Sequence, residues 1–256
     1  MVDLIINGRQ IKAEKGQTLL DVIKQLEIDI PTLCHHEGLP PRGSCRLCSV
    51  EIKKTGWSRD YSKLVTSCLY PVEEGLEVFT HSEKVIKLRK ILIELLMARV
   101  PHSEKIKHIA ESIGVFKTRF KAYSEDEECI LCGQCVRACE ELGTNAIAMV
   151  NRGTVKKVST PYDAETEECV GCGACAQVCP VDAIKIHETQ NTRTVRNQTF
   201  ELKNCDECGK PFITKAQIDY ICKKQKIPPE YFNKCPECKS KQLGHSFKEI
   251  LKSLRR

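Results

Sequence analysis

Four sets of four cysteines run through this sequence at spacings that suit metal chemistry. Cys34, Cys45, Cys48 and Cys68 make the first, Cys129, Cys132, Cys135 and Cys139 the second, and Cys169, Cys172, Cys175 and Cys179 the third. Two Cys-x-x-Cys pairs, Cys205 with Cys208 and Cys235 with Cys238, make the fourth. Cys222 is the remainder of seventeen. Four thiolates close the coordination of an iron-sulfur cluster or of a tetrahedral ion, so the expected cargo is three clusters and one further ion.

A disulfide framework is the alternative for so many cysteines, but such frameworks belong to short secreted chains. This chain has 256 residues, and Met1-Val2-Asp3-Leu4 leads directly into folded-looking sequence. Its most apolar run, Ile91 to Met97, is far shorter than the ~20 residues a bilayer needs and contains Glu94. A reducing, cytoplasmic setting is expected. The formal charge of +6 counts every cysteine as a neutral thiol. Sixteen thiolates around three oxidised clusters and a divalent ion would bring it to about −2, so basicity is weak support for a nucleic-acid partner.

The elements around the first set read as a small mixed sheet with one helix. Leu4 to Ile6 and Gln10 to Lys12 flank Asn7-Gly8, a hairpin signal. Thr18 can cap a helix carrying Leu19, Leu20, Val22, Ile23 and Leu26 at helical spacing, which Pro31 should end. Strands return at Ser49 to Ile52 and Leu76 to Phe79. This is the pattern of a β-grasp ferredoxin. The Cys-x10-Cys-x2-Cys-x19-Cys spacing departs from that of plant-type ferredoxins. It resembles instead the N-terminal domain of the large iron-sulfur subunit of respiratory complex I and its relatives in NAD-reducing and bifurcating iron-only hydrogenases. The matching strings are Pro31-Thr32-Leu33-Cys34, Gly43-Ser44-Cys45-Arg46-Leu47-Cys48-Ser49-Val50-Glu51 and Thr66-Ser67-Cys68. The resemblance implies a [2Fe-2S] cluster on Cys34, Cys45, Cys48 and Cys68; zinc on the same cysteines is the alternative.

In those relatives a following helical segment holds a cluster through one histidine and three cysteines. Here Ser82 to Lys121 keeps helical patterns over Lys84 to Leu96 and Ile106 to Ile113 but contains no cysteine, so that cluster cannot form. His102 falls near the family's ligand position and, alone, is expected to be a solvent or capping residue, as are His35, His36, His81 and His108. The amphipathic stripe should pack against the cluster domains. It also favours a fixed separation between them, leaving the Cys34 site as a side branch or a partner-completed bridge; linker helices repacked to bring that site close to one of the four-iron pair are the alternative.

The runs opening at Cys129 and Cys169 are an internal repeat, Cys-x2-Cys-x2-Cys-x3-Cys. Paired runs of this kind resemble two-cluster bacterial ferredoxins, in which each fourth cysteine serves the other cluster. That likeness assigns Cys129, Cys132, Cys135 and Cys179 to one [4Fe-4S] cluster and Cys139, Cys169, Cys172 and Cys175 to the second. Gly133, Gly171 and Gly173 should let backbone approach inorganic sulfide. Ile130, Val136, Ala146, Ile147, Val170, Val178, Ala183 and Ile184 should exclude water. Pro180 follows the last cysteine as expected, whereas Glu140 stands where the first run would have proline.

Cys205, Cys208, Cys235 and Cys238 flank an expected helix, Lys215 to Lys224, and suit a closed tetrahedral site holding zinc. Mononuclear iron is the alternative, since rubredoxin pairs similar knuckles. Cys222 is expected to be buried as a small apolar residue. Cys205→Ser should then unfold or detach residues 200–256 and spare the clusters.

The chain as a whole reads as α+β in four parts: a β-grasp [2Fe-2S] ferredoxin domain at 1–81, a helical linker at 82–121, a two-[4Fe-4S] ferredoxin domain at 122–190, and a zinc-ribbon or rubredoxin-like module at 191–256. It has no G-x-G-x-x-G after a strand, no phosphate loop and no flavin signature, so no catalytic site is expected. In length and order it resembles the small diaphorase subunit of NAD-reducing hydrogenases. That implies an electron-transfer subunit in a hetero-oligomer, between a flavin subunit handling NAD(H) and a second redox enzyme, such as a hydrogenase, a formate dehydrogenase, or a molybdenum or tungsten enzyme. An independent polyferredoxin, the iron-sulfur subunit of succinate dehydrogenase and nucleic-acid binding through Lys248, Lys252, Arg255 and Arg256 are the rival readings. Neither nucleic-acid nor membrane partners are expected.

Overall fold

A computed structural model describes residues 1–58 and 61–243. β1 (Val2–Ile6) and β2 (Arg9–Ala13) form the expected hairpin, with Asn7 and Gly8 both left-handed at φ 49° and 80°. α1 (Leu19–Gln25) starts at a reciprocal cap: Thr18 Oγ1 accepts from the Asp21 amide and Asp21 accepts from the Thr18 amide. Its Leu19, Leu20, Val22 and Ile23 are buried against a sheet of order β2-β1-β5-β3-β4, completed by β3 (Ser49–Lys54), β4 (Lys63–Thr66) and β5 (Leu76–Phe79). Two details differ from expectation. The helix stops at Leu26, with Glu27 left-handed at φ 56°, well before Pro31. β4 was not foreseen, because four residues with two apolar side chains give too short an alternation to read.

The linker is two helices, α2 (Glu83–Arg99) and α3 (Glu104–Ser112), each opened by a serine cap, Ser82 and Ser103. Ile93, Val100, Ile106, Ala110 and Val115 form one core with Leu33, Cys34 and Leu47 of the first domain and with Ile130 and Cys132 of the next. The expected spacer role is therefore corrected. The helices fill the flank of a joint at which the two cluster domains touch each other.

The repeat contributes α4 (Gln134–Leu142), β6 (Ala148–Val150), β7 (Lys157–Ser159), α5 (Ala174–Gln177) and β8 (Ile186–Glu188). β9 (Thr192–Val195), β10 (Gln198–Asn204) and β11 (Pro211–Thr214) follow, then α6 (Lys215–Gln225). These strands form one sheet of order β11-β10-β9-β8, so the expected boundary at 190/191 falls inside a hairpin. The C-terminal module is built onto the dicluster domain. Cys222 is only half-buried, because its helix presents no fully buried side chain. No helix among the described residues is long and apolar enough to cross a membrane. Lys248, Lys252, Arg255 and Arg256 lie outside the described residues.

Candidate metal centres

Cys34, Cys48 and Cys68 are buried and Cys45 is half-buried, on the loop before β3 and on the turn after β4. A hydrogen bond from the Cys45 thiol brings Cys34 down to about 6, and one from Cys68 does the same for Cys48. The same bonds, with burial, push the donors Cys45 and Cys68 upward. Within each pair one thiol is held below its ordinary range and the other above it, and a bound cation would convert all four to thiolates. The loop is pinned from below: Ser67 Oγ donates to the Cys48 carbonyl at 2.7 Å, and Ser49 Oγ to the Arg46 carbonyl at 2.6 Å. From α2, Arg89 Nε donates to the Leu47 carbonyl and Nη2 to the Ser49 carbonyl, both at 3.0 Å.

The two runs of the repeat enclose two cavities. One of about 150 Å³ is lined by Cys129, Cys132, Cys135 and Cys179, and a smaller one of about 30 Å³ by Cys139, Cys169, Cys172 and Cys175. Each cavity takes three cysteines from one run and the fourth from the other. The exchanged cysteines are held alike, for Cys139 Sγ accepts from the Ala146 amide and Cys179 Sγ from the Ala183 amide, both at 3.2 Å. Burial pushes Cys132 up to about 12 and Cys135 and Cys175 to about 11. Such thiols stay protonated at neutral pH unless bound metal supplies the charge that removes the proton. The donor sets and their apolar walls fit iron-sulfur clusters.

The glycines also meet conformational demands of the fold. Gly133 and Gly173 cap α4 and α5 in left-handed conformations, and the space beside each is filled by Met149 and Ile186 respectively. Gly171 is left-handed at φ 64°, and a Cβ there would lie 2.5 Å from the Phe200 ring. Its repeat partner Leu131 is also left-handed, at φ 54°. Gly171→Ala should therefore cost about 2–4 kcal/mol from strain and overpacking together, measured by denaturation of the holoprotein. In a double-mutant cycle Gly171→Ala should cost less in the Phe200→Ala background than with the ring present, whereas an equal cost would place the strain in the backbone alone.

Sulfurs of Cys205, Cys208, Cys235 and Cys238 all lie within 4.8 Å of one another, the crowding of ligands around a single ion. The Cys235 amide donates to Cys205 Sγ at 3.2 Å and, with the Cys208 amide, holds that thiol at about 6. The module grips the second cavity. Thr214 Oγ1 donates to the Val170 carbonyl at 2.5 Å and Arg193 Nη1 to the Gly171 carbonyl at 3.1 Å. Tyr220 and Lys224 donate to the Leu142 carbonyl at the end of α4.

Sequence reasoning missed the side chains that join these centres. Gln134 and Arg137 bracket Cys135 on α4 and are 3% and 6% exposed. Gln134 Nε2 donates to the Leu33 carbonyl at 2.8 Å, and Arg137 Nη2 to the Cys34 carbonyl at 2.8 Å, with Nη1 on the Pro40 carbonyl. At the far end of α2, Arg99 Nε donates to the Cys129 carbonyl at 2.8 Å. Polar residues inside a cysteine run read as surface; only their long-range partners reveal them. His102 is exposed and lies 3.2 Å from Glu125, and His36 accepts from the Gly38 amide.

Residues 1–83 match the 2Fe-2S iron-sulfur cluster binding domain family, and residues 122–186 and 168–211 match two 4Fe-4S dicluster domain families. The chain is 32% identical to the NADPH-Fe(3+) oxidoreductase subunit alpha of Geobacter sulfurreducens over 62% of its length and 21% of that protein. It is 30% identical to the NADH-ubiquinone oxidoreductase 75 kDa subunit of Reclinomonas americana, over 62% of this chain and 26% of the relative. With the NADP-reducing hydrogenase subunit HndD of Solidesulfovibrio fructosivorans it shares 29% identity, over 64% and 32%. A crystal structure of NAD+-reducing [NiFe]-hydrogenase in the H2-reduced state superposes with a TM-score of 0.55 at 26% identity, covering 62% of this chain and 74% of that one. The chain thus spans between a fifth and a third of the length of these sequence relatives.

Proposed function

We propose that this chain, an iron-sulfur electron-transfer protein related to subunits of hydrogenases and NADH-type oxidoreductases, relays single electrons between two other subunits of a larger complex. Its [2Fe-2S] ligands are Cys34, Cys45, Cys48 and Cys68. One [4Fe-4S] site uses Cys129, Cys132, Cys135 and Cys179, and the other Cys139, Cys169, Cys172 and Cys175. Thiolate-bound clusters carry one electron at a time at potentials set by their surroundings. A structural zinc on Cys205, Cys208, Cys235 and Cys238 closes the C-terminal module at residues 191–256. One neighbour is a flavin subunit that handles NAD(H) or NADP(H), the nucleotides named for the relatives; the other is a redox enzyme such as a hydrogenase.

The observation that carries the relay is the joint. The loop bearing Cys34 is hydrogen-bonded through its own carbonyl to the helix bearing Cys135 and Cys139. Arg89 and Arg99, which hold the first and second cysteine loops, are ten residues apart on one helix, about 15 Å along its axis. A strut of that length supports two centres that exchange electrons directly, in place of a side branch. Metal analysis of the anaerobically isolated protein should give ten irons and one zinc per chain, the sum of one two-iron and two four-iron clusters. About fourteen irons would overturn the ligand sets. Elution of the native protein as a monomer, with no flavin subunit bound, would favour an independent polyferredoxin.

A further inference from the structure

Two arginines at the first site are buried, and among the described residues neither has a carboxylate in an ion pair. Arg89 is 4% exposed and Arg137 is 6% exposed. Every hydrogen bond described for them goes to a neutral backbone carbonyl: Leu47 and Ser49 for Arg89, Gly133, Cys34 and Pro40 for Arg137. Among the described residues neither is in an ion pair with a carboxylate, unlike Arg99, Arg119 and Arg193. Asp29, an exposed carboxylate, acts on Arg89 more weakly than Cys48 does. A buried guanidinium without a counter-charge is strongly destabilising, so the fold must supply negative charge nearby. What both arginines share is the cysteine loop. Apart from Gly133 at the cap of α4, the carbonyls they hold belong to Cys34 itself, to the residues flanking Cys48, and to the turn between.

We infer that Arg89 and Arg137 are the counter-charges of the Cys34, Cys45, Cys48 and Cys68 site, two positioning residues that offset the negative charge of a four-thiolate two-iron centre and make it easier to reduce. The inference rests on the proposed two-iron ligand set. Four thiolates around an oxidised two-iron core leave a net charge of about two negative, matched by two guanidiniums. Reduction adds one electron from an external donor, breaks no bond and raises that charge to about three negative, a step that nearby buried cations favour. The cations have different origins. Arg89 comes from the linker helix α2 and Arg137 from α4 of the dicluster domain. The potential of the first centre therefore depends on whether the second domain is docked on it.

The test is an EPR-monitored redox titration of the two-iron signal in the full-length holoprotein, reduced stepwise with dithionite, for wild type, Arg89→Gln, Arg137→Gln and the exposed control Lys24→Gln. Each arginine variant should bind the electron at least tenfold less tightly, a shift of 59 mV to lower potential for a one-electron couple. The control should stay within threefold of wild type. Wild-type protein lacking a two-iron signal would sink the ligand set. A wild-type signal with variants that move less than threefold would sink the counter-charge role alone. Where a glutamine variant fails to assemble the cluster, Arg89→Lys or Arg137→Lys decides. A lysine variant that assembles the cluster within threefold of the wild-type potential sustains the role of charge; loss of the cluster there too would assign these residues to hydrogen bonding and overturn the inference.

Discussion

Cys205→Ser should abolish two of the proposed centres, the C-terminal zinc and the second four-iron cluster, while leaving the proposed two-iron cluster and first four-iron cluster spectroscopically intact. A structural zinc contributes apparent binding free energies of about 10–16 kcal/mol at neutral pH, comparable to the whole stability of a typical domain, about 5–15 kcal/mol. Within the module the apolar cluster around the cysteines is small, with Phe212 packed against Cys205, Cys235 and Cys238. Without the ion β10 and β11 lose the anchor at their open ends, since Cys205 directly follows β10. Those strands and the start of α6 carry Thr214 and Phe200, the contacts on Val170 and Gly171 between Cys169 and Cys172. Releasing them uncovers a loop that supplies two of four ligands to the second cavity. Iron analysis should fall from ten to about six per chain, with zinc near zero. Retention of all ten irons after complete zinc loss would show that the module rests on the cluster domain without supporting it.

This outcome differs from what the sequence suggests, and the difference marks where its legibility ends. Cysteine spacing made the groups readable, because ligand geometry constrains residues close in the chain. The hairpin at Asn7-Gly8 and the Thr18 cap were readable for the same reason: each is a local conformational demand met by a particular residue type. The domain boundary was not. Glu188 and Arg193 pair across it as neighbouring strands, and nothing in a polar connector reveals which sheet its flanks join. Nor were the buried polar side chains. Gln134, Arg137 and Arg89 have the composition of a solvated helix face, and their partners lie 101, 103 and 42 positions away, at Leu33, Cys34 and Leu47. The glycines illustrate the middle ground. Their positions were legible, while the contact of Gly171 with Phe200, in another element, was not.

Electrons delivered to the four-iron pair should reach the two-iron site within milliseconds in the isolated chain, and the double variant Gln134→Ala/Arg137→Ala should slow that step by at least an order of magnitude while keeping all ten irons. The argument is one of docking. Gln134 and Arg137 satisfy the Leu33, Cys34 and Pro40 carbonyls at the joint. Each buried polar group left without a partner costs about 1–3 kcal/mol, so truncating both donors should weaken the joint by about 3 kcal/mol or more. That is over a hundredfold in the equilibrium between docked and separated domains, since 1.4 kcal/mol is tenfold. Opening lets water satisfy the carbonyls, which makes separation the relief that the variant chain takes. Transfer between centres falls steeply as they move apart, whereas none of the proposed cluster ligands is among the mutated residues. Rapid-freeze EPR gives the rate, and the relaxation enhancement between the reduced two-iron and four-iron spins gives their proximity. The linker makes the result decisive, because Ile93, Val100 and Ile106 still tether both domains through a shared apolar core. If that core alone fixed the spacing, the double variant would transfer at the wild-type rate with unchanged relaxation, and the two α4 side chains would have no part in the route.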